Sequence, residues 1–237
     1  MTADADPVDT GLMSVSTAHL ADACLVVGVT VRCAPSALRP VTAQVRFAGP
    51  AQPVRHTGSV DAILEAIGQI AAGTVLVIDD EGRTDRACIG DLTALEAAHA
   101  GAAAMVVNGL HRDTEELTEL GLPVFSLGSS PTGPLEWTPS PPDALEQCRL
   151  GQWEVTGDDV LVGDRDGVII LPVQRVNELV DAARTIRDRE RHQARLARQG
   201  TPLRDQFDFD AYLAARAQNP ELTFRQHLAA RSASIEA

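Results

Sequence analysis

Residues 88–113 read CIGDLTALEAAHAGAAAMVVNGLHRD, and this stretch decides the fold. It predicts a turn at Gly90-Asp91, a helix from Leu92 to Ala100, a buried strand from Ala104 to Val107, and a second turn that ends in Arg112-Asp113. In α/β folds, glycine-bearing turns on either side of an apolar unit meet at one edge of the sheet. We therefore expect the functional residues to lie in these two turns.

Helices and strands alternate around this stretch. Val60–Ile70 has an apolar stripe at helical spacing, and Thr74–Ile78 is a continuous apolar run typical of a strand covered on both faces. Thr114–Leu120 predicts a short helix and Pro123–Leu127 a third strand, while Val41–Phe47 alternates like a half-buried strand. The order predicts an α/β fold with an at least partly parallel sheet.

The pattern changes after a proline-rich loop at residues 129–142. Gln152–Val162 and Gly167–Leu171 resemble two strands of an antiparallel hairpin, and a long helix is predicted from Pro172 to about Gln199. The predicted organisation is a flexible arm (residues 1–13), one catalytic domain (14–200) and a tail (201–237). Because the tail is rich in aromatic residues, we expect it to dock on its own or a neighbouring subunit.

The composition excludes several classes of protein. The 237 residues carry a net charge of −13, which argues against a nucleic-acid partner. The sequence has neither a signal-peptide pattern nor an apolar run long enough to cross a bilayer, so we expect a cytoplasmic protein without a membrane partner. None of the four cysteines forms a C-x-x-C pair, which favours reduced core thiols over a zinc site.

Two motifs carry candidate chemistry. Gly90, Asp91, Leu92 and Thr93 lie at a predicted helix start, where backbone N–H groups favour a substrate carboxylate; alternatively, Asp91 only caps the helix. In the pair Arg112-Asp113, the Arg can clamp a carboxylate and the Asp can hold a divalent cation. The alternative for this pair is a surface salt bridge and a helix N-cap.

Other ionisable residues are weaker candidates. Glu190 falls where the apolar stripe of the long helix predicts an apolar residue, so it lies either at an exposed helix end or against a partner or site. The six histidines show no ligand spacing, and only His111 is near the proposed site. The aspartates Asp79, Asp80, Asp164 and Asp166 are interpreted first as turn residues.

Several motifs together resemble one family. They are Gly90-Asp91-Leu92, the pattern Val-Val-x-Gly-x-x-Arg-Asp at 106–113, Leu-Pro-Val-Phe at 122–125, and the segments 16–23 and 157–172. They are similar to the family of regulator of ribonuclease activity A (RraA) and the class II 4-hydroxy-4-methyl-2-oxoglutarate/4-carboxy-4-hydroxy-2-oxoadipate aldolases. Asn108 departs from the pattern, because family members often have Asp there.

The resemblance implies an α/β/β fold of the swivelling phosphohistidine-domain type with a C-terminal helical tail, assembled as a homotrimer or hexamer with sites between subunits. It implies that Arg112 binds the pyruvyl end of a small 2-oxo acid and that Asp113 holds Mg²⁺ or Mn²⁺. The Gly90–Thr93 loop would supply backbone donors, with Asp91 positioning a water. A Glu from the neighbouring subunit's helix would complete the site, and Glu190 is the candidate by position.

The expected activity is metal-dependent retro-aldol cleavage of a 4-hydroxy-2-oxo acid, which releases pyruvate, with oxaloacetate decarboxylation as a related reaction. Catalysis would use Arg112, Asp91 and Glu190. All 20 basic residues are Arg, so a Schiff-base mechanism with a side-chain amine is excluded. The alternative is an RraA-type protein that regulates ribonuclease activity by binding and has no catalysis.

Overall fold

The computed structural model describes residues 11–230 of the chain, and these divide into two compact units. The first unit comprises residues 11–18 and 31–177, and the second comprises residues 19–30 and 178–230. Most of the predicted flexible arm lies outside the described residues, although Leu12 is fully buried. The long helix groups with the tail in the second unit.

The strands and helices follow one another in chain order. The strands are β1 (Arg32–Cys33), β2 (Arg39–Pro40), β3 (Phe47–Arg55), β4 (Val75–Asp79), β5 (Ala87–Ile89), β6 (Ala104–Asn108), β7 (Leu110–His111), β8 (Val124–Ser126), β9 (Gln147–Leu150), β10 (Trp153–Thr156), β11 (Asp159–Asp164) and β12 (Gly167–Pro172). The helices are α1 (Thr17–Val27), α2 (Asp61–Ile67), α3 (Asp91–His99), α4 (Thr114–Leu120), α5 (Val176–Arg198), α6 (Leu203–Gln206), α7 (Phe209–Gln218) and α8 (Phe224–Ala230).

The first unit is built on an eight-stranded sheet with the order β1-β12-β11-β3-β4-β6-β8-β2. Its centre, β3-β4-β6-β8, is parallel, and the flanking pairs are antiparallel. The predicted partly parallel sheet is therefore confirmed. The predicted hairpin is also confirmed, because β11 and β12 pair antiparallel up to Asp164 and Gly167.

The strand predicted at Val41–Phe47 is wrong, because β3 begins only at Phe47. The Thr42 hydroxyl donates to the carbonyl oxygen of Gln44, and this local bond favours a turn over an extended strand. The strand that does form contains two prolines, which lack the N–H that a ladder requires. They are tolerated because the first half of β3 pairs with β11 and the second half with β4, so each half has a side without a neighbouring strand.

The sheet is covered by different layers on its two faces. Along β4, Leu76 and Ile78 point into a core that also contains Ile63 of α2, Ala94 and Ala97 of α3 and Leu117 of α4. Val75 and Val77 point to the opposite side, where Cys148, Leu150 and Val155 come from the β9–β10 hairpin. Helices, central sheet and hairpin thus form three layers, because a strand that is apolar on both faces must be covered on both.

The second unit is helical and has an aromatic cluster of its own. The long helix is confirmed as α5, although it starts at Val176 after a short 3-10 turn. In the tail, Phe224 lies 5.0 Å from Tyr212 and 5.3 Å from Phe209, measured between ring centroids. The His227 ring contacts the carbonyl oxygen of Phe207 at 3.0 Å. Among the described residues, no helix combines the length and apolar character needed to cross a membrane.

The cysteines differ in accessibility, which gives a direct test of the fold. Cys24, Cys88 and Cys148 are buried, whereas Cys33 is exposed, so the expectation of core thiols is wrong for Cys33. Burial raises the pKa of Cys148 to about 12 and also raises the pKa of Cys88, so neither residue carries a reactive thiolate.

We expect a thiol reagent such as DTNB to modify one cysteine per native chain and all four in denaturant. The variant Cys33→Ser should abolish the fast phase of labelling. Fast modification of Cys88 or Cys148, identified by mass spectrometry, would contradict the described packing.

Candidate active site

The two predicted loops do meet at one edge of the fold. Strands β5 and β7 pair in parallel, with Ala87 opposite Leu110 and Ile89 opposite His111. Because parallel strands end on the same side, Gly90 and Arg112 leave their strands as neighbours. The Arg112 N–H donates to the carbonyl oxygen of Ile89 at 3.0 Å, which holds the two loops together.

Asp113 is the residue on which the loop contacts converge. Its Oδ2 accepts a hydrogen bond from the Asp91 N–H at 3.3 Å and lies 3.3 Å from Nε of Arg112. A Cβ at Gly90 would lie 2.3 Å from the same oxygen, so only glycine leaves room for the carboxylate. Two motifs that are 22 residues apart in the sequence therefore form one site.

Three backbone N–H groups at the start of α3, those of Gly90, Asp91 and Leu92, are not free, contrary to our expectation. The Gly90 N–H donates to the Thr93 hydroxyl oxygen at 3.2 Å, and the Leu92 N–H donates to the Asp91 carboxylate at 2.7 Å. Since the Asp91 N–H is bound to Asp113, the loop holds its own side chains in place. The Arg112 guanidinium is half exposed, and its planar N–H groups have the geometry that suits a carboxylate.

The conformation of Asp113 argues against a role as a simple helix cap. It occupies the N-cap position of α4 with φ 57° and ψ 46°, in the left-handed region that non-glycine residues seldom adopt. Its side chain makes no capping bond to α4 and contacts the start of α3 instead. Such backbone conformations persist where the surrounding structure enforces them, and they are frequent at functional sites.

A cavity of about 490 Å³ opens beside the two loops. All five predicted substrate-binding residues line it: Gly90, Asp91, Leu92, Thr93 and Arg112. Asp113 is not among the lining residues but is in contact with two of them, Asp91 and Arg112. The volume is within the range of small-molecule sites.

The donor set suits Mg²⁺ or Mn²⁺ better than zinc. Mg²⁺ commonly binds one or two protein carboxylates and takes its other ligands from water and substrate oxygens. The Asp113 carboxylate is about one third exposed and offers such a ligand. Within the described residues, no group of three His, Cys, Asp or Glu ligands forms around Asp113.

Glu190, the third predicted catalytic residue, belongs to the second unit. On α5 its Oε2 lies 3.0 Å from Nε2 of His19, a residue of α1. Burial, followed by the nearby charge of Glu190, raises the pKa of the neighbouring Asp22 carboxyl. The role predicted for Glu190 across a subunit boundary stays a prediction.

His111 is part of the scaffold and not of the reactive surface. It is buried, with Nδ1 2.7 Å from the Ser126 hydroxyl and Nε2 3.0 Å from the Thr114 hydroxyl. Burial lowers its pKa, so the ring is neutral near pH 7. It supports the Arg112-Asp113 turn through Thr114, the first residue of α4.

Asp79 and Asp80 begin a turn, as predicted, because the Glu81 N–H donates to the Asp79 carboxylate at 2.8 Å and the Arg83 N–H donates to the Asp80 carbonyl at 3.0 Å. Both side chains are also buried, which the sequence did not predict. Asp79 accepts hydrogen bonds from the Asn108 side chain at 2.9 Å and from the Arg149 N–H at 2.9 Å. An aspartate at position 108 would oppose Asp79 with a like charge, which accounts for Asn at this position. Asp164 is also buried, and the Thr17 hydroxyl donates to it at 2.7 Å.

The structure also contains a buried cluster of possible metal ligands that the spacing of residues in the sequence did not reveal. His56, Asp80 and Cys88 come from three separate segments, and their ligand atoms lie within 4.8 Å of one another. His56 Nδ1 is 2.9 Å from Asp80, and the Arg86 guanidinium donates to Asp80 at 2.7 Å. Because Arg86 already neutralises Asp80, this group is a buried ion-pair network beside the site.

The family follows from this geometry together with comparison to known proteins. The family model described as RraA-like, Aldolase/RraA, matches residues 17–170. The chain belongs to the RraA-like family. The matched region, residues 17–170, includes both loops of the candidate site.

Two relatives carry the provisional name 4-hydroxy-4-methyl-2-oxoglutarate aldolase. The protein of Halalkalibacterium halodurans is 29% identical over 150 residues, which cover 63% of this chain and 70% of that protein. The protein of Burkholderia mallei is 34% identical over 141 residues, which cover 60% of this chain and 84% of that protein. This chain is thus similar to RraA-like proteins that carry the name of a lyase.

A solved structure shows the same fold. RraAS2 of Streptomyces coelicolor, described as an unusual member of the RNase ES inhibitor RraA protein family, superposes with a TM-score of 0.71 at 24% identity. The match covers 81% of this chain and 98% of RraAS2. With the three layers of the first unit, it confirms the predicted α/β/β RraA-like fold with its C-terminal helical region.

Proposed function

We propose that this chain is a class II aldolase that cleaves a 4-hydroxy-2-oxo acid to pyruvate with the help of Mg²⁺ or Mn²⁺, and that it also decarboxylates oxaloacetate. One observation carries the proposal: the Asp113 carboxylate is held between Arg112 and the start of α3, beside an open cavity. The names of the two aldolase relatives support it. The proposed assembly is a homotrimer or hexamer.

Each residue has a distinct part in the proposed reaction. The half-exposed Arg112 guanidinium binds the carboxylate of the 2-oxo acid, for which its planar N–H groups are suited. Asp113 would hold the metal ion, which when bound polarises the 2-oxo group. Asp91 of the same chain, together with Glu190 of a neighbouring subunit, positions a water that accepts the proton of the C4 hydroxyl.

The reaction balances without a redox partner. Loss of the hydroxyl proton lets the C3–C4 bond break, and its electron pair forms the enolate of pyruvate while C4 leaves as a carbonyl compound. Arg112 would stabilise this developing negative charge. A proton then returns to C3 and gives the methyl group of pyruvate. In oxaloacetate, C4 is the carboxylate and leaves as carbon dioxide.

The test is pyruvate release, coupled to lactate dehydrogenase, from oxaloacetate and from 4-hydroxy-4-methyl-2-oxoglutarate. We expect release with Mg²⁺ and none after EDTA. Release that EDTA does not affect would contradict the metal dependence. If neither substrate yields pyruvate while the protein remains folded, the RraA-type regulator becomes the better interpretation.

The variant Gly90→Ala tests whether the position of Asp113 matters. The new methyl group would lie 2.3 Å from Asp113 Oδ2, so the flexible side chain must move while the backbone stays in place. We expect pyruvate release to fall by about 10²-fold, because misplacing a reacting group by about 1 Å has costs of this order. The melting temperature should change little.

Gly157→Ala is the matched control for this variant. Position 157 has open space around a Cβ and no positive φ, so the same substitution should leave both activity and stability unchanged. Equal activity of the two variants would show that the contact between Gly90 and Asp113 is not required.

A further inference from the structure

Apolar side chains, most of them exposed to solvent, form part of the lining of the site cavity. Val60, Leu64, Leu92, Leu95 and Pro134 line it, and we call this surface the apolar wall. The exposed fractions are 44% for Val60, 47% for Leu64, 74% for Leu92 and 40% for Leu95. Clustered exposed apolar residues of this kind mark a binding surface more often than isolated ones do.

Core packing does not explain the apolar wall. Helix α2 already buries Ile63 and Ile67 against the sheet, and α3 buries Ala94 and Ala97. Leu64 of α2 and Leu92 and Leu95 of α3 lie on other faces of these short helices, whereas Val60 immediately precedes α2 and Pro134 belongs to the loop after β8. A surface helix ordinarily has polar residues opposite its buried stripe, so apolar residues on both sides indicate a second contact.

The charges of the cavity are as informative as its apolar residues. Among the described residues that line it, Arg112 is the single cation, whereas Asp91 and Glu96 are acidic. If Arg112 binds the carboxylate of the 2-oxo acid, a second carboxylate on the substrate meets no further cation among these lining residues. It would also lose water beside apolar groups, which is costly for an ion without a partner.

We propose that the substrate is a 4-hydroxy-2-oxo acid whose C4 carries an uncharged alkyl or aryl group, which packs on the apolar wall. This inference rests on the proposed aldolase function and names its substrate class. Cleavage of the C3–C4 bond then yields pyruvate and an apolar aldehyde or ketone. The cavity of about 490 Å³ has room for a ring beyond the pyruvyl part.

The decisive experiment compares two substrates with Mg²⁺ present. One is 4-hydroxy-2-oxo-4-phenylbutanoate, and the other is 4-hydroxy-4-methyl-2-oxoglutarate, which has a second carboxylate. We expect kcat/KM for pyruvate release to be at least about 10-fold higher for the phenyl compound, because a charge without a partner is discriminated against strongly. Equal values, or a preference for the dicarboxylate, would overturn the inference.

A separate measurement tests the proposed function on its own. Exchange of the pyruvate methyl protons in D₂O, followed by NMR, requires only enolate formation and no C4 group. Proton exchange without a preference for the phenyl compound would contradict the inference but not the aldolase proposal. Absence of both exchange and cleavage would overturn both proposals.

A positive charge introduced into the apolar wall should weaken the preference for the phenyl compound. Leu64→Arg offers a second carboxylate a partner, so the kcat/KM ratio of phenyl compound to dicarboxylate should fall at least about 10-fold. Leu95→Arg tests the same point from α3 if the first variant does not fold. Val173→Arg changes an exposed apolar residue that does not line the cavity, and the ratio should stay unchanged.

The ratio is independent of any general loss of activity. If Leu64→Arg changes the oligomeric state but not the ratio, the apolar wall is covered by a second copy of the chain and the inference is wrong.

Discussion

Asp113→Asn should lower metal-dependent pyruvate release by about 10²- to 10³-fold, the usual cost of removing one group that acts on developing charge. Asparagine keeps the shape of the side chain and tolerates the left-handed conformation found at this position, φ 57°. The substitution therefore removes the negative charge with little change of structure. The measurement is kcat/KM for oxaloacetate at saturating Mg²⁺, together with the Mg²⁺ concentration needed for half activity.

Asp208→Asn is a closely matched control. Asp208 also precedes a helix in the left-handed region, with φ 48°, but belongs to the second unit. The two substitutions impose the same chemical change on the same backbone conformation. We expect wild-type activity from Asp208→Asn, and comparable losses in both variants would refute the assignment of the metal ligand to Asp113.

Asp80→Ala should destabilise the fold by about 3–5 kcal/mol, the cost of removing one partner from a buried ion pair. The Asp80 side chain is 1% exposed and bonds both His56, which is fully buried, and Arg86. Without the carboxylate, Arg86 keeps a charge that has lost its buried partner. Urea unfolding followed by circular dichroism measures the loss.

Asp85→Ala provides the comparison, because Asp85 pairs with Arg83 at the exposed surface. Its removal should leave the unfolding midpoint where it is, since exposed ion pairs contribute little. If the two variants unfolded at the same urea concentration, the buried network would have no stabilising role.

The same network predicts a pH dependence. Burial raises the pKa of the Asp80 carboxyl, but hydrogen bonds from His56 and Arg86 outweigh it, so the pKa lies below its usual value. The folded state therefore binds fewer protons here than the unfolded chain does, and the stabilisation is complete above about pH 5. It is lost as the pH falls through the folded pKa. The stability difference between wild type and Asp80→Asn should therefore shrink below about pH 4.

The sequence located much of the site because its residues lie in two short motifs next to predictable elements. Apolar runs and glycines identified the strands and turns, and parallel pairing brings the loops to one edge. The bonding state of the loop was not predictable, because the Asp113 side chain of the second motif accepts a hydrogen bond from the Asp91 N–H of the first. Such contacts depend on distances that a linear pattern does not contain.

The buried aspartates show the same limit. Asp79 and Asp80 occur in a polar, glycine-containing stretch that is typical of an exposed turn. In the fold, Asp79 accepts hydrogen bonds from Asn108 and Arg149, and Asp80 accepts one from Arg86. These donors come from separate segments of the chain. Burial of a charge requires partners, and partners distant in sequence become visible only when the chain is folded.

The sequence by itself determined the alternation of helices and strands between residues 60 and 127, the partly parallel sheet and the position of the two candidate loops, because these follow from local periodicity and turn chemistry. Only the tertiary structure decided which side of each helix faces the core. The apolar residues of α2 read as one stripe in the sequence, yet Ile63 is buried while Leu64 lines the cavity. Neighbouring elements cover one face of a helix and leave another open, and that choice defines the wall of the site.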